Sequence, residues 1–156
     1  MSRLGVPLLH RTLWATGDIL LRAELDLRIK DNAGNWHQET FRVDSGTEMT
    51  TFPAALAKQL DIPMPQRAAQ GVIHQQTGLE LRSGSLRVQV VGMDGTEYAF
   101  PCFFLGDPNL PLSSYPPTSV PRNLLGLSGV IDKLRVVFEG DATPTAMHGY
   151  LVVEKR

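Results

Sequence analysis

The segment of this sequence whose residue types could do chemistry is Asp44-Ser45-Gly46, which directly follows an alternating strand pattern ending at Val43. The carboxylate of Asp44 is able to act as a general acid or base. Asp, Ser and Gly are also common turn formers, so the same triplet is typical of a strand-ending turn. An Asp-(Ser/Thr)-Gly triplet arises by chance in roughly one sequence of this composition in ten, so its context has to decide between the two interpretations.

The residues that follow the motif supply that context. Thr50 and Thr51 come first, then an alanine-rich segment at residues 53–60, and much later Leu-Leu-Gly at residues 124–126. In this order the chain resembles the retropepsin-like aspartic proteases. Their pattern is an apolar strand, Asp-(Thr/Ser)-Gly, a Ser or Thr, a flap hairpin and a late apolar pair followed by glycine. The resemblance covers about residues 19–153.

The resemblance implies an all-β fold, namely a closed β-barrel of the acid-protease type with one or two short helices. A single domain would fill residues 1–156. It also implies an aspartic endopeptidase, in which a water is activated between two facing carboxylates that share one proton. The sequence holds no second Asp-(Ser/Thr)-Gly. The expected partners are therefore a second copy, in a symmetric homodimer, and a peptide or protein substrate. Neither a cofactor nor a metal is expected.

The same resemblance assigns roles around the motif. Asp44 supplies one catalytic carboxylate, and Gly46 lets the backbone approach it closely. Ser45 would form a hydroxyl-to-backbone contact between the two chains. Thr47 stands where many retroviral members have alanine, and its hydroxyl is expected to bond the carboxylate. Glu48 lies where those members keep an acidic residue that contacts the substrate backbone.

Two later segments are candidates for substrate contacts. Residues 70–81 are expected to form the flap, with Gln76 and Thr77 near its tip. Arg122 ends a proline-rich loop at residues 106–123, which leads into the Leu-Leu-Gly segment where the family places a pocket wall. The sequence leaves open an ordinary surface hairpin for the first segment and a solvated loop for the second.

Two other functions remain open at this stage. The first is a catalytically inactive module that uses the same fold for dimerisation or peptide binding. The second is an unrelated small β-barrel binding protein in which Asp44-Ser45-Gly46 is merely a turn.

Alternating apolar residues predict that much of the chain forms short strands that hold these segments. At residues 21–29 apolar and charged side chains alternate strictly, which is typical of a strand with one buried face. Residues 53–60 are predicted to form a short helix with proline near its start, and residues 128–133 a second one. The predicted strands are residues 21–29, 36–43, 79–91, 97–105, 134–138 and 150–153.

Composition narrows the class of protein further. The chain has 156 residues, the size of one domain, and its 15 basic and 16 acidic residues leave a net charge of −1. This balance argues against a protein that coats nucleic acid. Four scattered histidines and the single Cys102 exclude zinc patterns and an internal disulfide, and Cys102 is expected to be buried.

No stretch approaches the about 20 apolar residues of a membrane helix, and residues 4–9 are too short for a secretory signal. A cytoplasmic location away from membranes is therefore expected.

Overall fold

The computed structural model describes residues 2–12, 15–67, 73, 78–112, 123–140 and 149–156. Within them the chain is mostly strand with little helix, so the expected fold class is confirmed at that level. The elements are β1 (Arg3–Pro7), β2 (Leu9–Thr12), β3 (Ile19–Arg22), β4 (Glu24–Lys30), β5 (Trp36–Val43), β6 (Thr50–Pro53), α1 (Ala54–Gln59), β7 (Leu81–Val90), β8 (Tyr98–Leu105), β9 (Leu124–Leu125), β10 (Leu134–Gly140) and β11 (Gly149–Lys155).

Six of these strands pair in a ring, in the order β4-β5-β9-β6-β8-β7, with β7 returning to β4. Period-two alternation explains the arrangement, because every second side chain of β4 and β8 turns inward. Leu25, Leu27 and Ile29 are buried from β4, and Phe100 and Phe104 from β8. These side chains form one apolar core inside the ring.

The strand predicted at residues 21–29 is in fact two strands that belong to different sheets. The chain changes partners at Ala23, whose carbonyl accepts a hydrogen bond from Val43 N at 2.9 Å. Before this point β3 pairs with β2 in a two-stranded ribbon, and beyond it β4 pairs with β5 and β7. Leu21 is consequently 40% exposed although it continues the alternation. A period of two sets the face of each residue but not which sheet the strand joins.

The helix predicted at residues 53–60 is confirmed as α1. Pro53 precedes it with an extended backbone, and the side chains of its first turns are buried. The helix ends where Asp61 adopts a positive φ of 55°, a conformation that few residues other than glycine tolerate well. None of the helices in the described part of the chain is long and apolar enough to cross a membrane.

The second helix, predicted at residues 128–133, is wrong, because this segment forms consecutive turns. Ile131 N bonds Leu127 O and Leu134 N bonds Val130 O, both in helical spacing. Gly129 nevertheless has a φ of +70°, which interrupts a right-handed helix. A side chain at Gly129 would also overlap the ring of Pro101.

The two ends of the chain form a separate three-stranded sheet in the order β1-β11-β10. The pairing is antiparallel, with Leu4 opposite Val153 and Val136 also opposite Val153. Leu151 and Val153 are fully buried and belong to the same core as the ring. Strand β1 was not predicted, because Gly5 and Pro7 are residue types that strands disfavour.

Candidate active site

The Asp44 loop, residues 44–47, begins where β5 ends. β5 runs parallel to β9 there, with Arg42 opposite Leu124 and Val43 opposite Leu125. Arg42 N donates to Asn123 O at 3.0 Å, and Asp44 N donates to Leu125 O at 3.1 Å. This spacing is that of a regular parallel ladder. Pairing with β9 therefore continues one residue past the strand and holds the backbone of Asp44.

The carboxylate of Asp44 shapes the loop that follows it. Gly46 N donates to Asp44 Oδ1 at 2.9 Å, and Thr47 N donates to Asp44 O at 3.2 Å. An aspartate that bonds the backbone two residues on forms an Asx turn, so this triplet makes a turn as its residue types predict. Asp44 and Thr47 are half-buried, whereas Ser45, Gly46 and Glu48 are exposed. The expected bond from the Thr47 hydroxyl remains a prediction.

The Leu-Leu-Gly segment at residues 124–126 lies directly beside the Asp44 loop. Leu127 N donates to Thr47 O at 3.1 Å, and Ser128 N donates to Glu48 O at 2.7 Å. Gly126 N donates to the hydroxyl of Thr50, which is fully buried, at 3.2 Å. The structure thus brings together the two motifs on which the resemblance rests. The sequence analysis assigned no role to the hydroxyl of Thr50, which forms one of these contacts.

An apolar groove of about 230 Å³ opens beside the loop. Its size and lining suit an aliphatic or aromatic side chain. The residues that line it are Val43, Ser45, Leu125, Gly126, Leu127, Val130, Ile131, Val136 and Phe138. Ile131 and Phe138 are also exposed to solvent at its rim.

The expected flap is described only at its base. Ile73 and Glu80 form an isolated antiparallel bridge, and Gly106 N donates to Glu80 O at 2.8 Å. This pairing agrees with a hairpin that joins β7 near Leu81. Gln76 and Thr77 lie outside the described residues, as does Arg122, so their roles stay predictions.

A buried arginine holds the base of this hairpin, and the sequence analysis missed it. Arg82 is 7% exposed, and its Nη1 donates to Gly106 O at 2.8 Å. Its Nε has no hydrogen-bond partner, and its Nη2 lies 3.8 Å from Glu80 Oε2. Arg82 could have been found from the sequence, because it is a charged residue at a position where the alternation of the strand predicts burial.

Arg42 is a second residue that the sequence analysis did not assign. It is half-buried and lies two positions before Asp44 in the same ladder, so the two side chains share a face. Glu24 is opposite Arg42 in the register with β4. Across the described part of the chain, no ion pair within 4 Å involves the Arg42 guanidinium. The two-residue spacing from Asp44 was the signal available in the sequence.

Other candidate chemistries find no support in the described residues. No three His, Cys, Asp or Glu side chains in those ranges come together as metal ligands. Cys102 is fully buried, as predicted, and burial raises the pKa of its thiol well above the usual range. A buried thiol of this kind is a poor nucleophile.

Comparisons with known proteins agree with this geometry at the level of fold. No protein-family model matches the sequence, and no curated protein matches it either. Among solved structures the chain is similar to a retropepsin-like aspartic protease from Rickettsia conorii. The identity is 12% and the TM-score is 0.54, over 97% of this chain and 94% of that one. At this identity the similarity shows a shared fold and nothing finer.

Proposed function

We propose that this protein is an aspartic endopeptidase whose active site forms between two copies, each of which supplies Asp44. One observation carries the proposal. Asp44-Ser45-Gly46 is held against the Leu-Leu-Gly segment by direct backbone hydrogen bonds, from Asp44 N to Leu125 O and from Leu127 N to Thr47 O. The same chain has the fold of a retropepsin-like aspartic protease.

The proposed reaction needs two carboxylates and one water. One carboxylate removes a proton from the water, which attacks the scissile carbonyl, while the other, protonated carboxyl group polarises that carbonyl. The C–N bond of the resulting tetrahedral intermediate then breaks as the pair returns a proton to the leaving amine nitrogen. Two carboxylates this close cannot both be ionised, so they hold one proton and titrate as a pair. Each copy provides one of the two groups, and the reaction uses no cofactor.

The neighbouring residues take the roles that the resemblance suggests. Ser45 joins the two chains beneath the carboxylates. Thr47 bonds the Asp44 carboxylate and contacts the substrate, and Glu48 contacts the substrate backbone. Gln76 and Thr77 in the flap and Arg122 in the proline-rich loop contact the substrate from its other sides. In this proposal residues 1–156 form one domain, the ring of strands is the acid-protease barrel, and the protein acts in the cytoplasm.

The test is cleavage of a diverse peptide mixture from acidic to neutral pH. Wild type is compared with Asp44→Asn, which keeps the size of the side chain, and with Asp18→Asn as a control at an exposed site. Cleavage by wild type and Asp18→Asn, with none by Asp44→Asn, is the expected result. Absence of cleavage by wild type that ultracentrifugation shows to be dimeric would contradict the proposal and favour an inactive peptide-binding module.

A further inference from the structure

The strand face that carries Asp44 also carries a positive charge. Arg42 N and Asp44 N both donate to β9, at Asn123 O and Leu125 O, so both residues keep strand geometry. Residues two apart in a strand point to the same face and lie about 7 Å apart along it. A peptide bound in extended form advances by the same distance. Arg42 is therefore placed to meet a substrate side chain close to the bond over Asp44.

Arg42 lacks the carboxylate partner that several other basic residues of this protein have. Lys30 and Arg87 both pair with Glu97, and Arg3 and Arg135 both pair with Glu154. Within the described ranges, Arg42 has no carboxylate oxygen inside 4 Å, although it is half-buried.

Partial burial removes some of the water that would otherwise solvate a guanidinium. Glu24 is opposite Arg42 in β4, but no ion pair within 4 Å joins these two described side chains. The planar guanidinium binds a carboxylate through two parallel hydrogen bonds. A ligand that brings a carboxylate to this face would satisfy both the charge and the hydrogen-bond donors of Arg42.

We infer that Arg42 determines specificity by binding an Asp or Glu side chain of the substrate next to the scissile bond. The inference rests on the proposed function, because that function places a peptide over Asp44. In a symmetric dimer each copy contributes one Arg42, so acidic residues are favoured on both sides of the bond. Arg42 does not line the apolar groove, whose strand residues Val43 and Ser45 alternate with Arg42 and Asp44.

The first experiment reads cleavage sites in a peptide mixture by mass spectrometry. Wild type, Arg42→Gln and Arg42→Lys are compared with Arg28→Gln, which removes the same charge from an exposed position of β4. Wild type and Arg28→Gln are expected to enrich Asp and Glu beside the cut. For matched Glu and Gln peptides, Arg42→Gln should lose about tenfold in kcat/KM on the Glu peptide, mainly through KM. Arg42→Lys should keep part of the preference.

The pH dependence provides a readout that a merely structural role would not change. The preference for Glu over Gln should disappear in wild type as pH falls below about 4, where a free glutamate side chain becomes protonated. Cleavage without acidic enrichment, or enrichment that persists in Arg42→Gln, would overturn the inference while leaving the proposed function in place.

A binding measurement separates failure of this inference from failure of the proposed function. Fluorescence anisotropy compares the labelled Glu and Gln peptides on Asp44→Asn protein, with and without Arg42→Gln. Preferential binding of the Glu peptide that requires Arg42, without cleavage by wild type, would uphold the recognition of an acidic side chain by Arg42 and overturn only the proposed function. With neither cleavage nor preferential binding, both proposals fail.

Discussion

At the scale of single residues, the approach of the Asp44 loop to the 124–126 segment depends on Gly126. A Cβ placed there would overlap the backbone carbon of Met49 and lie 2.7 Å from the carbonyl oxygen of Glu48. Both obstacles belong to the backbone, so no side-chain rotation can relieve them. The glycine is needed because two chain segments touch there.

Gly126→Ala is therefore expected to lower the free energy of unfolding by about 3 kcal/mol or more, as overpacking of a tight contact does. Gly5→Ala is the matched control, because Gly5 lies in β1 with nothing within 4 Å of the added atom. It should change stability by less than about 1 kcal/mol. Urea unfolding of both variants measures the difference, and equal stabilities would show that the contact yields.

Gly46 presents a milder constraint that acts on chemistry rather than on folding. Its Cβ would lie 3.3 Å from Asp44 Oδ1, the atom that accepts the bond from Gly46 N. The carboxylate then has to shift by a few tenths of an ångström. Under the proposed function, Gly46→Ala should lower kcat about three- to tenfold, because small misplacements of a catalytic group are costly. The melting temperature of Gly46→Ala should match that of Gly5→Ala. If stability fell together with kcat, Gly46 would act on folding rather than on chemistry alone.

The candidate site itself was predictable at this scale where residue type decided the geometry. The Asp-Ser-Gly turn follows from residues that favour turns, and its position after a strand follows from alternation. The free charge of Arg42 was not predictable, because Glu24 is opposite it in β4. Sequence reasoning cannot tell whether two such neighbours pair, since the outcome depends on side-chain positions within a few ångströms.

At the scale of elements, a polar network fastens the ring of strands to the terminal sheet. Asp94 lies in the turn between β7 and β8, where Oδ1 accepts a bond from Thr96 N at 3.0 Å. Lys155 of β11 donates to Asp94 Oδ2 at 3.4 Å and to the Thr96 hydroxyl at 2.9 Å. Hydrogen bonds from Thr96, followed by Lys155, lower the pKa of Asp94 from 3.8 to about 2.

This shift predicts how stability depends on pH. Because the folded pKa of Asp94 lies below its unfolded value, the stabilisation is fully present above about pH 4 and is lost as pH falls towards 2. Asp94→Asn should lower the melting temperature at pH 7, and the difference from wild type should vanish near pH 2. Lys155→Gln should not add its full effect to that of Asp94→Asn, since the two share one network. A constant difference at every pH would contradict the assignment.

Strands were predicted well where alternate residues are buried in the ring, as for β7 (Leu81–Val90) and β8 (Tyr98–Leu105). β5 was also predicted, although Phe41 is its one buried residue. The wrong predictions of strands and helices lie where the alternation of apolar residues does not indicate which other segment the chain contacts. Ala23 changes sheets without a break in the pattern, and Gly129 interrupts an otherwise apolar turn by its positive φ. Both depend on contacts with residues far away in sequence, which local periodicity cannot register.

At the scale of the whole molecule, the ring brings sequence-distant motifs together but supplies one of the two carboxylates that the proposed reaction needs. β9 pairs with both β5 and β6, so a two-residue strand fixes the Asp44 loop on one side and Thr51 on the other. The resemblance supplied the order of the two motifs along the chain, whereas their direct contact is visible only in the structure. The same ring carries one Asp-Ser-Gly, and the proposed reaction requires two.

A mixing experiment tests whether the second carboxylate comes from a second copy. Wild type and Asp44→Asn are combined in equal amounts and allowed to exchange subunits. If cleavage requires Asp44 from both copies, only pairs of wild-type chains are active, which are about a quarter of all dimers. Activity should then fall to about a quarter of that of wild type at the same total concentration. A fall to one half would mean that each chain cleaves on its own, and mixing with Asp18→Asn should leave activity unchanged. With a shared carboxylate pair, activity falls with the square of the fraction of wild-type chains. If each chain carried a complete site, activity would fall in direct proportion to that fraction.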